Sequence, residues 1–193
     1  MHPALRVISF EHRSISSVLS GLSHFAERGV EGKKLPNAAV FRAMLHYLDL
    51  FAERMHHPKE DAYLFARLRQ RTNMADDVLD RLQEDHFYGA GALRAVEHAF
   101  LRYEEGGAPF FADFAREVRR YVAFHREHMR IEETFVFPLA ERELTEDDWR
   151  EIEAAFAANH DPLASAEQVH DLESLFTRIV TITPAPIGVG DEV

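Results

Sequence analysis

Two stretches of this chain repeat one pattern, His56-His57-Pro58-Lys59-Glu60-Asp61-Ala62-Tyr63-Leu64-Phe65 and His128-Met129-Arg130-Ile131-Glu132-Glu133-Thr134-Phe135-Val136-Phe137. Both read His-x-x-x-Glu-acid-x-aromatic-aliphatic-Phe. On an α-helix, residues four apart share a face with their Cβ atoms about 5–6 Å from each other, so each stretch aims an imidazole and a carboxylate the same way. The periodicity puts His56 and Glu60 on a face with Leu48, Ala52 and Leu64, and His128 and Glu132 on a face with Tyr121, Phe135 and Leu139. Those are core-facing stripes. A buried carboxylate is costly unless positive charge is buried with it, so the pattern demands helices that pack around a shared cation.

The rest of the chain divides to suit that demand. Breaks at Gly29 to Pro36, Gln70 to Asn73, Gly106 to Pro109 and Leu144-Thr145 leave four segments of about 25 to 35 residues, long enough for an antiparallel up-down four-helix bundle. In the first, Ile8, Ile15, Leu19 and Leu22 form a stripe whose missing step is His12. In the third, Ala75, Leu79, Leu82, Gly89, Leu93, Val96 and Phe100 do the same around His86. Thr145-x-x-Asp148 predicts a capping box that opens a fifth helix, and Asp161-Pro162 an N-cap with proline for a sixth. The expected organisation is all-α and a single domain over 1–182: a four-helix core at about 5–142, C-terminal helices at about 145–182, and a loose tail at 183–193.

Composition removes several alternatives. A formal charge of -11 argues against a nucleic-acid partner, and the lack of any cysteine rules out thiolate chemistry and Cys-ligated clusters. No window is apolar enough to span a membrane and no signal-like start is present, so a cytoplasmic protein that does not engage membranes is expected. Twelve histidines, by contrast, point toward metal or proton chemistry. Six inward residues, His12, His56, Glu60, His86, His128 and Glu132, form the candidate ligand set, one histidine from each helix. They are too few to fill two octahedra, so shared carboxylates and open coordination positions follow for a dinuclear site.

Other residues compete with this set. His57 could pair with Asp61 instead, but His56 matches the register of His128. His125, one turn before His128, reads as a partner of the ligands or a partly exposed helix histidine, and His160 as a helix-end residue. Pro58 lies between ligands and predicts a distortion. Gly89 and Ala90 leave either a small pocket or room for close packing. A ferritin-like reading needs Glu-x-x-His on two helices, and Glu53-Arg54-Met55-His56 supplies it once.

With these residues in view, the chain resembles the hemerythrin-like family, the His-His-Glu cation-binding domain, over about residues 5 to 142. The resemblance implies a four-helix bundle holding a non-haem di-iron centre, two iron ions with an oxo or hydroxo bridge, other divalent metals being alternatives. Marine oxygen carriers of the family have a further histidine where this chain has Ala90 and a fourth-helix His-x-x-x-x-Asp where it has His128-x-x-x-Glu132. Four histidines and two glutamates are more similar to bacterial di-iron proteins of iron–sulfur cluster repair and nitric oxide handling, and to the iron-sensing domain of a ubiquitin-ligase subunit. Many repair proteins carry a cysteine-containing amino-terminal region, whereas these 193 residues hold no cysteine. The expected function is to bind or sense a small diatomic ligand, dioxygen or nitric oxide, or iron itself. The alternative is an enzyme reducing nitric oxide or peroxide or serving cluster repair. An apolar stripe of Val169, Leu172, Leu175, Phe176 and Ile179 suggests self-association as a homodimer.

Overall fold

The computed structural model describes residues 1–157 and 179–181. Among them all regular structure is helical: α1 (Pro3–Val30), α2 (38–71), α3 (Asp76–Gly106), α4 (111–143) and α5 (Glu146–Ala157). Each break falls where turn chemistry requires it. Gly107, at φ 73°, ends α3 in a backbone region that favours glycine, and one 3₁₀ turn (Ala108–Phe110) then leads into α4. Short links force consecutive long helices to run antiparallel, and α4 packs along both α1 and α3. The capping box at α5 forms as expected: the backbone N–H of Thr145 donates to Asp148 Oδ2 at 2.9 Å and that of Asp148 to Thr145 Oγ1 at 3.3 Å. Arg71 at the end of α2 donates twice to the same carboxylate, at 2.7 and 2.8 Å, and so ties α5 to the bundle. The helix expected from Asp161, with His160 and most of the 169–179 stripe, and the tail at 183–193 lie outside the described residues; Ile179 is buried in the core.

The apolar core comes in two blocks. One gathers Leu19, Phe41, Met44, Phe100 and Phe114 with their aromatic neighbours, and the other Leu5, Phe65, Leu79, Trp149 and Ile152. The stripes read from sequence account for both, and the inward histidines lie at the level between them. Ile8 belongs to one block, Ile15 to the other, and His12 comes between.

Two of the helices are not α throughout. α2 is α-helical over Ala38–Tyr47, π-helical over Leu48–His56, α-helical over His57–Lys59, π-helical again over Glu60–Phe65 and α-helical to Arg71. α4 is α-helical over Phe111–Ile131, π-helical over Glu132–Val136 and α-helical to Glu143. Proline follows a π segment in each. His57, before Pro58, donates its backbone N–H to the Ala52 carbonyl, and Phe137, before Pro138, donates to Glu132, both five residues back. A wider turn accommodates a ring that cannot donate to the preceding turn and would clash with it, so Pro58 distorts α2 without ending it. The widening also corrects the expected face of α4. Phe135, placed inward by regular spacing, is 41% exposed, while Val136 is 0% exposed in its place.

Candidate metal centre

All six candidate ligands converge between the two apolar blocks, and each is buried. His12 Nε2 lies 3.5 Å from Glu60 Oε1 and 3.4 Å from Glu132 Oε2. His56 Nε2 is 3.4 Å, and His86 Nε2 3.6 Å, from Glu60 Oε2. His128 Nε2 is 3.3 Å from Glu132 Oε1 and 2.9 Å from His86 Nε2. Besides one that joins His57 to His86 and His128, two groups with metal-binding spacing result among the described residues: His12, His56 and Glu60 form one, and Glu60, His86, His128 and Glu132 form the other. Glu60 belongs to both.

The inward atoms lack the partners that buried polar atoms normally have. His12 Nε2 and both carboxylate oxygens of Glu60 and of Glu132 are buried with no hydrogen bond. A cation would satisfy all five at once, which is the test that the donor set passes. Oxygen and imidazole donors of this mixture suit iron, manganese or zinc better than a soft ion.

Around these atoms lies a ring of carboxylates. His12 Nδ1 faces Glu133 at 2.9 Å, His56 Nδ1 faces Glu11 at 2.8 Å, His86 Nδ1 faces Asp61 at 3.0 Å and His128 Nδ1 faces Asp85 at 3.4 Å. Each contact joins two helices: α1 to α4, α2 to α1, α3 to α2 and α4 to α3. A carboxylate accepts only, so in a neutral ring it holds the proton on Nδ1 and leaves the Nε2 lone pair pointing inward. All four carboxylates stand next in sequence to an inward residue, before His12 and His86 and after Glu60 and Glu132. A neighbour on a helix is turned by about 100° and thus meets the adjacent helix. The acids after the two glutamates belong to the repeated motif, but helical spacing alone does not give them this role. Their adjacency was the available signal.

The charge balance among these side chains sets the direction in which each pKa moves. Burial alone would lower the pKa of His12, but Glu133, Glu60 and Glu132 outweigh it and raise it to about 10. Burial likewise opposes, and Glu132 and Asp85 overcome it, to bring His128 to about 10. His56 is pushed well below the usual range by burial and by its neighbours His12 and His57. Glu60 rises to about 7 through burial and the facing Glu132, whereas Glu132 falls because His128 and His12 more than offset its burial. The buried carboxylates therefore draw positive charge onto His12 and His128.

A family model, the hemerythrin HHE cation-binding domain, matches residues 3–140. The chain belongs to this family. No curated protein and no solved structure matches this hemerythrin-like chain significantly. Family membership accounts for cation binding, and the His and Glu groups provide for it.

Residues outside the expected set also reach the centre. His57 does not pair with Asp61, which is taken by His86. It is 4% exposed, its Nδ1 lies 3.4 Å from Glu53 Oε2, and burial lowers its pKa to about 3. His125, buried as well, has Nε2 3.3 Å from Glu53 Oε1, and the Tyr121 hydroxyl donates to that oxygen at 3.0 Å. Glu53 thus serves His57, His125 and Tyr121 and belongs to none of the ligand groups, which disposes of the ferritin-like reading. It also settles the choice at Gly89 in favour of close packing, since a Cβ there would lie 2.8 Å from Glu53 Oε2.

Proposed function

We propose that this hemerythrin-like chain holds a non-haem di-iron centre through His12, His56, Glu60, His86, His128 and Glu132, and that it binds or senses a small ligand such as dioxygen or nitric oxide. The observation that carries the reading is Glu60, whose two buried and unpartnered oxygens face three imidazoles from three helices and belong to both ligand groups. A carboxylate so placed suits a bridge between two ions. When bound, iron would supply open coordination and redox chemistry at a site otherwise enclosed by helices.

The chain's own residues supply the rest. The ring of Glu11, Asp61, Asp85 and Glu133 orients the imidazoles before a metal arrives and resists their rotation. Packing above and below the polar layer keeps bulk water away. A cleft of about 260 Å³ between α1 and α4 reaches His12 and Glu133 from the surface and is lined by Arg13, Ser16, Arg126 and Arg130. The arginines of this rim stand beside Glu133, and Arg130 is paired with Glu127, so the entrance carries charges of both signs on an acidic chain.

The reading is tested by metal analysis and an optical spectrum of protein purified aerobically from iron-supplied cells. About two iron atoms per chain, with near-ultraviolet ligand-to-metal bands, are expected. One tightly held zinc with no capacity for a second metal would reject it.

A further inference from the structure

We infer that His57 is a fifth histidine ligand, joining His86 and His128 on the α3–α4 side of the centre. The inference rests on the dinuclear reading above and adds a ligand to it. Ligand atoms of His57, His86 and His128 lie within 4.8 Å of one another, a spacing that one ion can span. The His57 ring stacks on that of His86 with centroids 4.3 Å apart and planes 14° from parallel, so the two approach from the same side. Its Nδ1 lies 3.4 Å from a carboxylate of its own helix, Glu53, without the hydrogen bond that the other four make across helices, and this side of the ring faces Glu53 while Nε2 is left for a metal. Glu53 is itself held by the Tyr121 hydroxyl and flanked by His125, so the orienting group is fixed from α4.

The backbone explains how two adjacent histidines both face inward. On a regular helix His56 and His57 would diverge by about 100°. Here the helix is π-helical up to His56 and again from Glu60, and both rings are buried, at 1% and 4% exposure. The third helix offers Ala90 one turn beyond His86, and Glu53 fills the space beside Gly89, so α2 adds a donor on a side where α3 offers His86 alone. Donors then divide unequally. Three imidazoles serve the α3–α4 side, whereas His12 and His56 serve the side reached by the cleft, and open coordination belongs on the cleft side.

Cobalt(II) loading tests this without relying on any variant. A histidine bound through Nε2 shows its Nδ1–H as a strongly shifted proton resonance, seen in H₂O and lost in D₂O. The chain loaded with two cobalt ions should show five such resonances, and His57→Ala should show four and bind its second cobalt at least about tenfold more weakly. Four resonances in the unaltered chain with two cobalt ions bound, or five in His57→Ala, would overturn the assignment of His57 and leave the dinuclear reading standing. Uptake of a single cobalt by the unaltered chain would overturn both.

Discussion

Helices α2 and α4 carry the same signature and reach the centre on different backbones. α4 stays α-helical through Ile131, so His128 arrives in regular register and its neighbour Met129 packs into the aromatic block. α2 is π-helical on both sides of the proline-containing turn and turns His57 inward beside His56. One turn before each ligand histidine the helices diverge again in kind yet meet in space. Glu53 and His125 hold equivalent positions, three residues ahead of His56 and His128, and face one another at 3.3 Å. An identical motif therefore secures the shared ligand pair, and the phase of the surrounding helix decides which further groups join it.

The largest effect expected is at the two glutamates, where the helices should behave alike. Glu60→Ala and Glu132→Ala should each lose both ions by metal analysis, because each carboxylate lies within 4 Å of imidazoles from both sides of the centre. His57→Ala should hold its second ion at least about tenfold more weakly and His125→Ala should keep both. Equal metal content in all four variants would break the comparison.

Protonation separates the helices more sharply. His56 and His57 of α2 are held neutral, while His128 of α4 and His12 of α1 have pKa values raised to about 10. A raised histidine pKa contributes stability that is present in full below the unfolded value of about 6.5 and is lost as pH rises through about 10. Metal must displace those same protons, so affinity should climb with pH up to about 10, by up to about tenfold per pH unit for each proton released. Competition titrations at about pH 6 and about pH 8 check the slope, and a flat profile would contradict the charge balance described for the centre.

The acid that follows each glutamate offers a finer comparison. Asp61→Asn and Glu133→Gln should each weaken metal binding by about 10–100-fold, since each removes the carboxylate on one imidazole Nδ1. Metal affinity that falls only for the α2 variant would show that the ring matters on one side alone. Pro58→Ala restores a backbone donor and allows α2 to tighten, which should turn His57 away and cost about tenfold in affinity for the second ion. Pro138→Ala, which follows the π segment of α4 and lies beyond both of its ligands, should leave that affinity unchanged.

The smallest effect belongs to His125→Gln. It should retain both metals and lower thermal stability by about 1–3 kcal/mol through the loss of a buried partner of Glu53. Loss of a metal ion in this variant would make His125 a ligand and erase the distinction from His57.

Local rules account for how much could be read in advance. Helix boundaries were legible because caps, prolines and glycines act within a few residues, as at Thr145, Asp148 and Gly107. The inward aim of His12 and His86 was legible because each fills the missing step of an apolar stripe, and the His56/Glu60 and His128/Glu132 pairs because four residues span about one helical turn. The sequence by itself thus determined a helical bundle, its family and the side chains aimed at a shared cation. Tertiary structure alone decided the remainder. The π turns beside Pro58 and Pro138 shift the helical phase, which brings His57 in, turns Phe135 out and is invisible to a fixed period. The carboxylate ring and the filling of Gly89 by Glu53 depend on which neighbouring helix each residue meets. That is set by packing between helices distant in sequence, where no local spacing rule reaches.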